Sequence, residues 1–288
     1  MIFEYRLAAM LFSRMLRRAH VPVGIQQPIE RVALQQRIVG SAFDDIVLQT
    51  GDALQGPSIE IQVKKRLAVS GSNTEFVKVM ESALTVCRSR EKDLTKGALL
   101  LGLAVGDPAT DLEALSELTA MARAHPDATS LGRLLSEGVT RSSLRSRHRH
   151  VVTAVATAAT TTDITKAETL THQILSALHV WHVQIAPDGR DWRAELDQVS
   201  DLASSAGQSA DSVMGRLYDL AQEAGPKAGS LDIHMVCAAL LRRFGLDLST
   251  TIRDLASSRS KMINIINTGS GTFFSAESQV FNGLRIGR

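Results

Sequence analysis

Asp44-Asp45, Gln62 and Lys64 set carboxylates, an amide and an ammonium a hairpin's length apart in the chain. Between Asp45 and Gln62 the sequence reads Ile46-Val47-Leu48-Gln49-Thr50, then a breaker-rich turn with Gly51, Asp52, Gly56 and Pro57, then Ile59-Glu60-Ile61. That is how two antiparallel strands read. Side chains alternate along a strand, so Glu60, Gln62 and Lys64 share one face while Ile59, Ile61 and Val63 share the other. Three polar groups in a row on an otherwise apolar strand are costly unless a metal ion, water or one another satisfies them. Read alone, the E-x-Q-x-K run also fits an edge strand with a hydrated polar face.

The elements that would position these groups follow from hydrophobic periodicity. Residues 2–18 read as an amphipathic helix, and residues 29–39 as a first strand leading into the Asp44-Asp45 strand. After the Q-x-K strand, Ser70-Gly71-Ser72-Asn73 supplies a turn and a helix cap, and Phe76, Val79, Met80, Ala83, Leu84 and Cys87 recur at helical spacing. The continuous apolar run 97–106, bounded by glycines and Pro108, predicts a strand covered on both faces. The order is α-β-β-β-α-β. Leu112 to Met121 and Leu131 to Leu135 mark two further helices, and runs around 170–178, 192–202, 213–224 and 235–244 mark four more, with a short apolar run at 180–185 that adds a strand. The expected division is a core over 1–125, a mostly helical region over 126–260 and a β-like, glycine-punctuated tail over 261–288.

Composition sets bounds. The 288 residues are 44% hydrophobic, enough for a substantial core, and 32 Lys+Arg against 30 Asp+Glu leave a formal net charge of +2. Contact with nucleic acid must therefore come from local clusters of charge. Aromatics at 4% argue against base stacking as a main binding mode. Cys87 and Cys237 both lie in apolar helical patterns and read as reduced thiols of a cytoplasmic protein. His179 and His182 form an H-x-x-H pair without a cysteine cluster, which reads as packing rather than as a zinc site. No run has the length of a membrane span. Gly269-Ser270-Gly271-Thr272 lacks the lysine of a phosphate-binding loop.

An acid ahead of an apolar run, a hairpin-length gap and a Q-x-K strand behind an N-terminal helix resemble the PD-(D/E)XK restriction-endonuclease-like superfamily. The match is to its Q-x-K form, found in Mrr-like enzymes and in the nuclease modules of CBASS- and AVAST-type anti-phage effectors. Those modules often open with an aromatic-Gln-x-x-x-Ala-Ala helix; here Phe3-Glu4 precedes Ala8-Ala9, with Glu4 where that glutamine would stand. The resemblance covers roughly the first third of the chain and its continuation. It implies a restriction-endonuclease-like α/β core followed by a mostly helical region, and a Mg²⁺-dependent (or Mn²⁺-dependent) endonuclease of double-stranded DNA.

On that resemblance Asp45 is the principal metal ligand, with Asp44 as the alternative. Gln62 replaces the family's second acid and offers only a neutral carbonyl oxygen, so Glu60 or Glu4 would complete the set; Glu4 equally suits a helix start. Lys64 would stabilise charge on the phosphate. Lys65, Arg66 and the basic run Arg141, Arg145, Arg147 and Arg149, free of acidic residues from 138 to 162, would neutralise backbone phosphates, although a solvated loop or a protein contact explains that run too. Cutting both strands of a duplex favours a homo-oligomer, and a sensor or NTPase partner or C-terminal module would accompany the nuclease.

Overall fold

The computed structural model describes residues 2–248 apart from positions 22, 37–41, 44, 52–55, 107–109 and 137–138. Helix α1 (Ile2–Leu16) is apolar around its circumference, with ten of its 15 residues buried from Tyr5 to Leu16. A helix of that kind needs a partner on every side. It lies between strand β1 (Ile29–Leu34) and the helices α8 (Arg190–Ser205) and α9 (Ala210–Ala224).

Among the described residues six strands form one mixed sheet. The hairpin β2 (Ile46–Thr50) and β3 (Ser58–Lys64) pairs antiparallel, and β1 pairs antiparallel with β2. Strand β4 (Leu99–Val105) continues from β3 in parallel and β5 (Leu178–His182) from β4, while β6 (Ser230–Asp232) pairs antiparallel with β1. The resulting order is β5-β4-β3-β2-β1-β6. Both outer strands come from beyond residue 125, so the mostly helical second half contributes to the same sheet, and residues up to Leu248 make one compact unit.

The face opposite α1 is covered by α2 (Thr74–Ser89), α4 (Thr110–Ala124), α6 (Ser142–Ala158) and α7 (Ile164–Ala177), whose apolar stripes pack on Leu99, Leu101, Leu103 and Val105 of β4. The short helices α3 (Glu91–Thr95) and α5 (Ala128–Leu134) and the later α10 (Ile233–Phe244) complete the helical set among the described residues. The chain is thus an α/β protein with helices on both faces of its sheet. The α-β-β-β-α-β order of the sequence reading is present, with α3 inserted before β4.

Local signals explain most boundaries. Asn73 caps α2, its side chain accepting from the Phe76 amide at 2.9 Å, as the Ser70–Asn73 punctuation implies. The first helix stops at Leu16 rather than at residue 18, where Arg18 turns left-handed with φ 51°. The first strand stops at Leu34 rather than running to 39, because Gln35 leaves the extended region with φ 49°; residues 37–39 lie outside the described residues. From Ser142 to His150 the basic run is the first half of helix α6, not a loop, with Arg141 just ahead of it, since Leu144, Val151, Val152, Ala154 and Val155 bury one side of the helix. Among the described residues no helix is long and apolar enough to cross a membrane. The tail expected over 261–288, with its Gly269–Thr272 segment, lies outside the described residues.

Candidate functional site

The hairpin register brings the acid and the amide together. Ile46 stands opposite Ile61, and one step further along the same ladder Asp45 stands opposite Gln62. Gln62 Nε2 donates to Asp45 Oδ2 at 2.5 Å, and the backbone N–H of Val63 donates to the same oxygen at 2.6 Å. Two donors thus converge on one carboxylate oxygen. Asp44 lies outside the described residues, so Asp45 is the acid whose position is known.

Residues in register across a parallel pair share a face, and β3 pairs Glu60 with Leu101, Gln62 with Leu103 and Lys64 with Val105. The three polar side chains therefore face the layer that contains α2. This helix runs back along β3: Lys64 Nζ donates to Glu75 Oε2 at 3.4 Å in its first turn, and Arg90 at its end donates to Glu60 Oε1 at 3.3 Å. Glu60 is 7% exposed and occupied by a guanidinium at the far end of the strand, so the structure pairs it with Arg90 rather than with the metal set expected of it. Glu75 hydrogen-bonds Lys78 and Lys64, and those bonds hold its carboxyl below the usual carboxylate range.

Glu4 reaches the same sheet end from α1. Its Oε1 accepts from Gln35 Nε2 at 3.2 Å, and the backbone N–H of Gln35 donates to Asp45 O at 3.0 Å. The start of α1 is held there by Phe3, whose ring would stand 2.5 Å from a Cβ at Gly106, just past β4. A side chain at 106 would push the helix off. Burial, and then the Glu4 carboxylate, push the Tyr5 hydroxyl above its ordinary range, against a hydrogen bond with the Gln35 side chain.

Asp45, Gln62 and Lys64 thus share one face where β3 ends and β2 begins, and Glu4 meets the same end of the sheet from α1, linked to it through Gln35. Their donor set suits a hard divalent cation, which commonly takes one or two carboxylates and fills its remaining positions with water and substrate oxygens. Asp45 would hold it directly, Gln62 by presenting Oε1 after its amide turns, and Glu4 as second carboxylate. The set is lean: among the described residues no three His, Cys, Asp or Glu side chains cluster tightly enough to hold a metal by themselves.

No protein-family model matches this chain, and no curated protein does. Among solved structures, the Acinetobacter baumannii Cap4 receptor, which contains a SAVED/CARF domain and was solved with the cyclic trinucleotide 3'3'3'-cAAA, aligns at 11% identity with a TM-score of 0.43. That alignment covers 83% of this chain and 44% of the receptor, so the chain spans less than half of that protein's length.

The remaining expected residues divide into two groups. Lys65 and Arg66 follow Lys64 directly and are exposed. On α6, Arg147 bonds Val69 O in the β3–α2 connection and Asp111 at the start of α4, while Arg141 pairs with Glu117. Arg145 donates to Thr140 O at 2.5 Å, so three of the four basic residues there hydrogen-bond protein partners. Arg145 and Arg149 line a cleft of about 210 Å³ with Gly132, Leu135, His148 and Glu168. The H-x-x-H pair is split by its strand: His179 stands beside Gly102 and His182 beside Val105, positions of opposite parity and therefore opposite faces of the sheet. They cannot share one ion. Both cysteines are free, and burial raises each thiol to about 11.

Burial lowers the His148 imidazole to about 4, and burial together with Arg123 lowers His179 to about 4. A base depressed on folding stays neutral while its unfolded counterpart, near pKa 6.5, takes a proton. Stability is then complete above about pH 6.5 and is lost as the pH falls from there toward 4. At about 1.4 kcal/mol per unit, reduced for partial exposure, each imidazole accounts for roughly 2 kcal/mol. Thermal melts across pH 7 to 4.5 are expected to fall more steeply for the wild type than for His148→Gln; parallel curves would contradict this assignment.

Proposed function

We propose that this chain is a Mg²⁺-dependent, or Mn²⁺-dependent, endonuclease of double-stranded DNA on a restriction-endonuclease-like core, acting as an effector of bacterial anti-phage defence. The observation that carries the chemistry is the convergence of Gln62 Nε2 on Asp45 Oδ2 at 2.5 Å, with Lys64 two residues further along the same strand face. The defence role rests on the resemblance of the Q-x-K hairpin and first helix to effector nucleases.

When bound at Asp45 and Gln62, the ion would supply Lewis-acid charge to the scissile phosphate and a water of lowered pKa. The residues do the rest. Lys64, 24% exposed at the strand end, exchanges Glu75 for a phosphate oxygen; an exposed pair of that kind contributes about 0–1 kcal/mol, so substrate displaces it readily. Its ammonium then stabilises the negative charge that builds on the phosphate in the transition state. Lys65 and Arg66 contact flanking phosphates without reading sequence.

Supercoiled plasmid incubated with the protein and Mg²⁺ should be nicked or linearised, and excess chelator should stop it. Intact plasmid across a range of Mg²⁺ and Mn²⁺ concentrations would refute the enzyme reading. A second reading, a non-catalytic DNA-binding or scaffold module, is favoured by one observation: the Gln62 amide and the Lys64 ammonium bond Asp45 and Glu75 within the fold. Salt-dependent DNA binding without cleavage would support it.

An amide at position 62, where an acid would supply a further charge, makes a weaker cation site. Gln62→Glu adds a second anion beside Asp45, and like charges so close favour a cation that relieves them. Calorimetric titration is expected to give Mg²⁺ affinity about tenfold higher in this variant, equivalent to about 1.4 kcal/mol. Tighter binding by the wild type would show that Gln62 does not face the ion.

A further inference from the structure

The residue that ties Glu4 to Asp45 is Gln35, which lies outside the Q-x-K pattern. Its side chain donates to Glu4 Oε1 at 3.2 Å and its backbone N–H donates to Asp45 O at 3.0 Å. One residue therefore connects the first helix to the strand that carries the acid.

Its backbone is unusual. Four non-glycine residues among those described have positive φ: Arg18, Gln35, Thr160 and Ala228. Arg18 and Thr160 follow the ends of α1 and α6, and Ala228 caps a short 3₁₀ turn, which are places where a left-handed residue commonly ends a helix. Gln35 instead follows a strand. Left-handed backbone at a glutamine is strained, and such residues persist where the surrounding structure over-determines them, often at functional sites. The conformation aims the amide N–H at Asp45 O and the side chain at Glu4 together. The chain keeps a glutamine where glycine would fit without strain.

We propose that Gln35 is a positioning residue of the cation site, setting the Glu4 carboxylate beside Asp45 so that both face one divalent ion. The inference rests on the metal-dependent reading above. Partners that orient a ligand typically change metal affinity by 10- to 100-fold when removed. Glycine at position 35 separates the two roles of the residue: it accepts φ near 50° and keeps the backbone N–H to Asp45 O, while removing the side chain that holds Glu4.

The test titrates Mn²⁺ into the full chain without DNA and counts free ion by electron paramagnetic resonance. Gln35→Gly is expected to weaken Mn²⁺ binding 10- to 100-fold while melting at or above the wild-type temperature. Glu4→Gln should lose a similar factor, and the double variant little more than either, because both changes break one chain of contacts. Gln35→Asn, which also tolerates the left-handed region but is too short to reach Glu4, should behave as Gln35→Gly does. Wild-type affinity in Gln35→Gly or in Gln35→Asn overturns the proposal and leaves the metal reading intact. A wild-type chain that binds no Mn²⁺ overturns both.

Discussion

Asp45→Asn is expected to lower Mg²⁺-dependent plasmid cleavage by about 10²- to 10³-fold or more, and Lys64→Ala by a comparable factor, the loss typical when one charge-stabilising group leaves a catalytic site. Asparagine keeps an oxygen for the Val63 amide, which now donates to Asp45 at 2.6 Å, and keeps the shape of the side chain. What it removes is the anion that would hold the cation. Lys64 stands at the end of β3 with one weak, exposed partner, so its loss costs the fold little. Both variants should melt near the wild-type temperature and still bind duplex DNA in the presence of a chelator.

That pairing of results separates the enzyme reading from the binding-module reading. Were Asp45 only a structural acceptor for Gln62 and Val63, its replacement by asparagine would leave any cleavage unchanged. Cleavage that survives in both variants would place the chemistry elsewhere on the chain, and the site described above would be a polar junction between two strands and a helix.

The hairpin was legible because its signals are local. Alternation in 46–50 and 58–64, with breakers between, fixes both the strands and which residues share a face, and the register then places Asp45 opposite Gln62. What could not be read were contacts made only when elements dock. Glu60 shares a strand face with Gln62, yet its partner Arg90 is set by how α2 lies across β3. Gln35 and Glu75 carry no motif of their own; their relation to Asp45 and Lys64 comes from the end of β1 and the start of α2 meeting the hairpin. Helix α6 was hidden for a different reason: Arg145, Arg147, His148, Arg149 and His150 crowd its first turns, so its apolar period shows clearly only from Val151 onward. The three-residue β6 has too little sequence to carry a pattern and exists because β1 offers an edge.

Glu195→Ala is expected to destabilise the protein by about 3–5 kcal/mol, the usual consequence of removing one member of a buried ionic cluster. The Glu195 side chain on α8 is 1% exposed, and it accepts from Ser13 Oγ at 2.7 Å, from Arg14 Nε at 3.2 Å and from Arg17, all three on or just past α1. Alanine leaves two largely buried guanidiniums facing each other without an anion, and that uncompensated charge exceeds the loss of any single hydrogen bond. For a chain of this size each kcal/mol moves the melting temperature by about 2–4 °C, so a drop of roughly 6–20 °C is expected. Glu117→Ala breaks the exposed pair with Arg141 and serves as the control, with an expected cost below about 1 kcal/mol. Because α1 also presents Glu4 to the sheet end, a loosened α1 should weaken cation binding as well, whereas equal melting temperatures for Glu195→Ala and Glu117→Ala would mean that the packing of α1 on the sheet and α9, not its ionic contact with α8, holds the first helix in place.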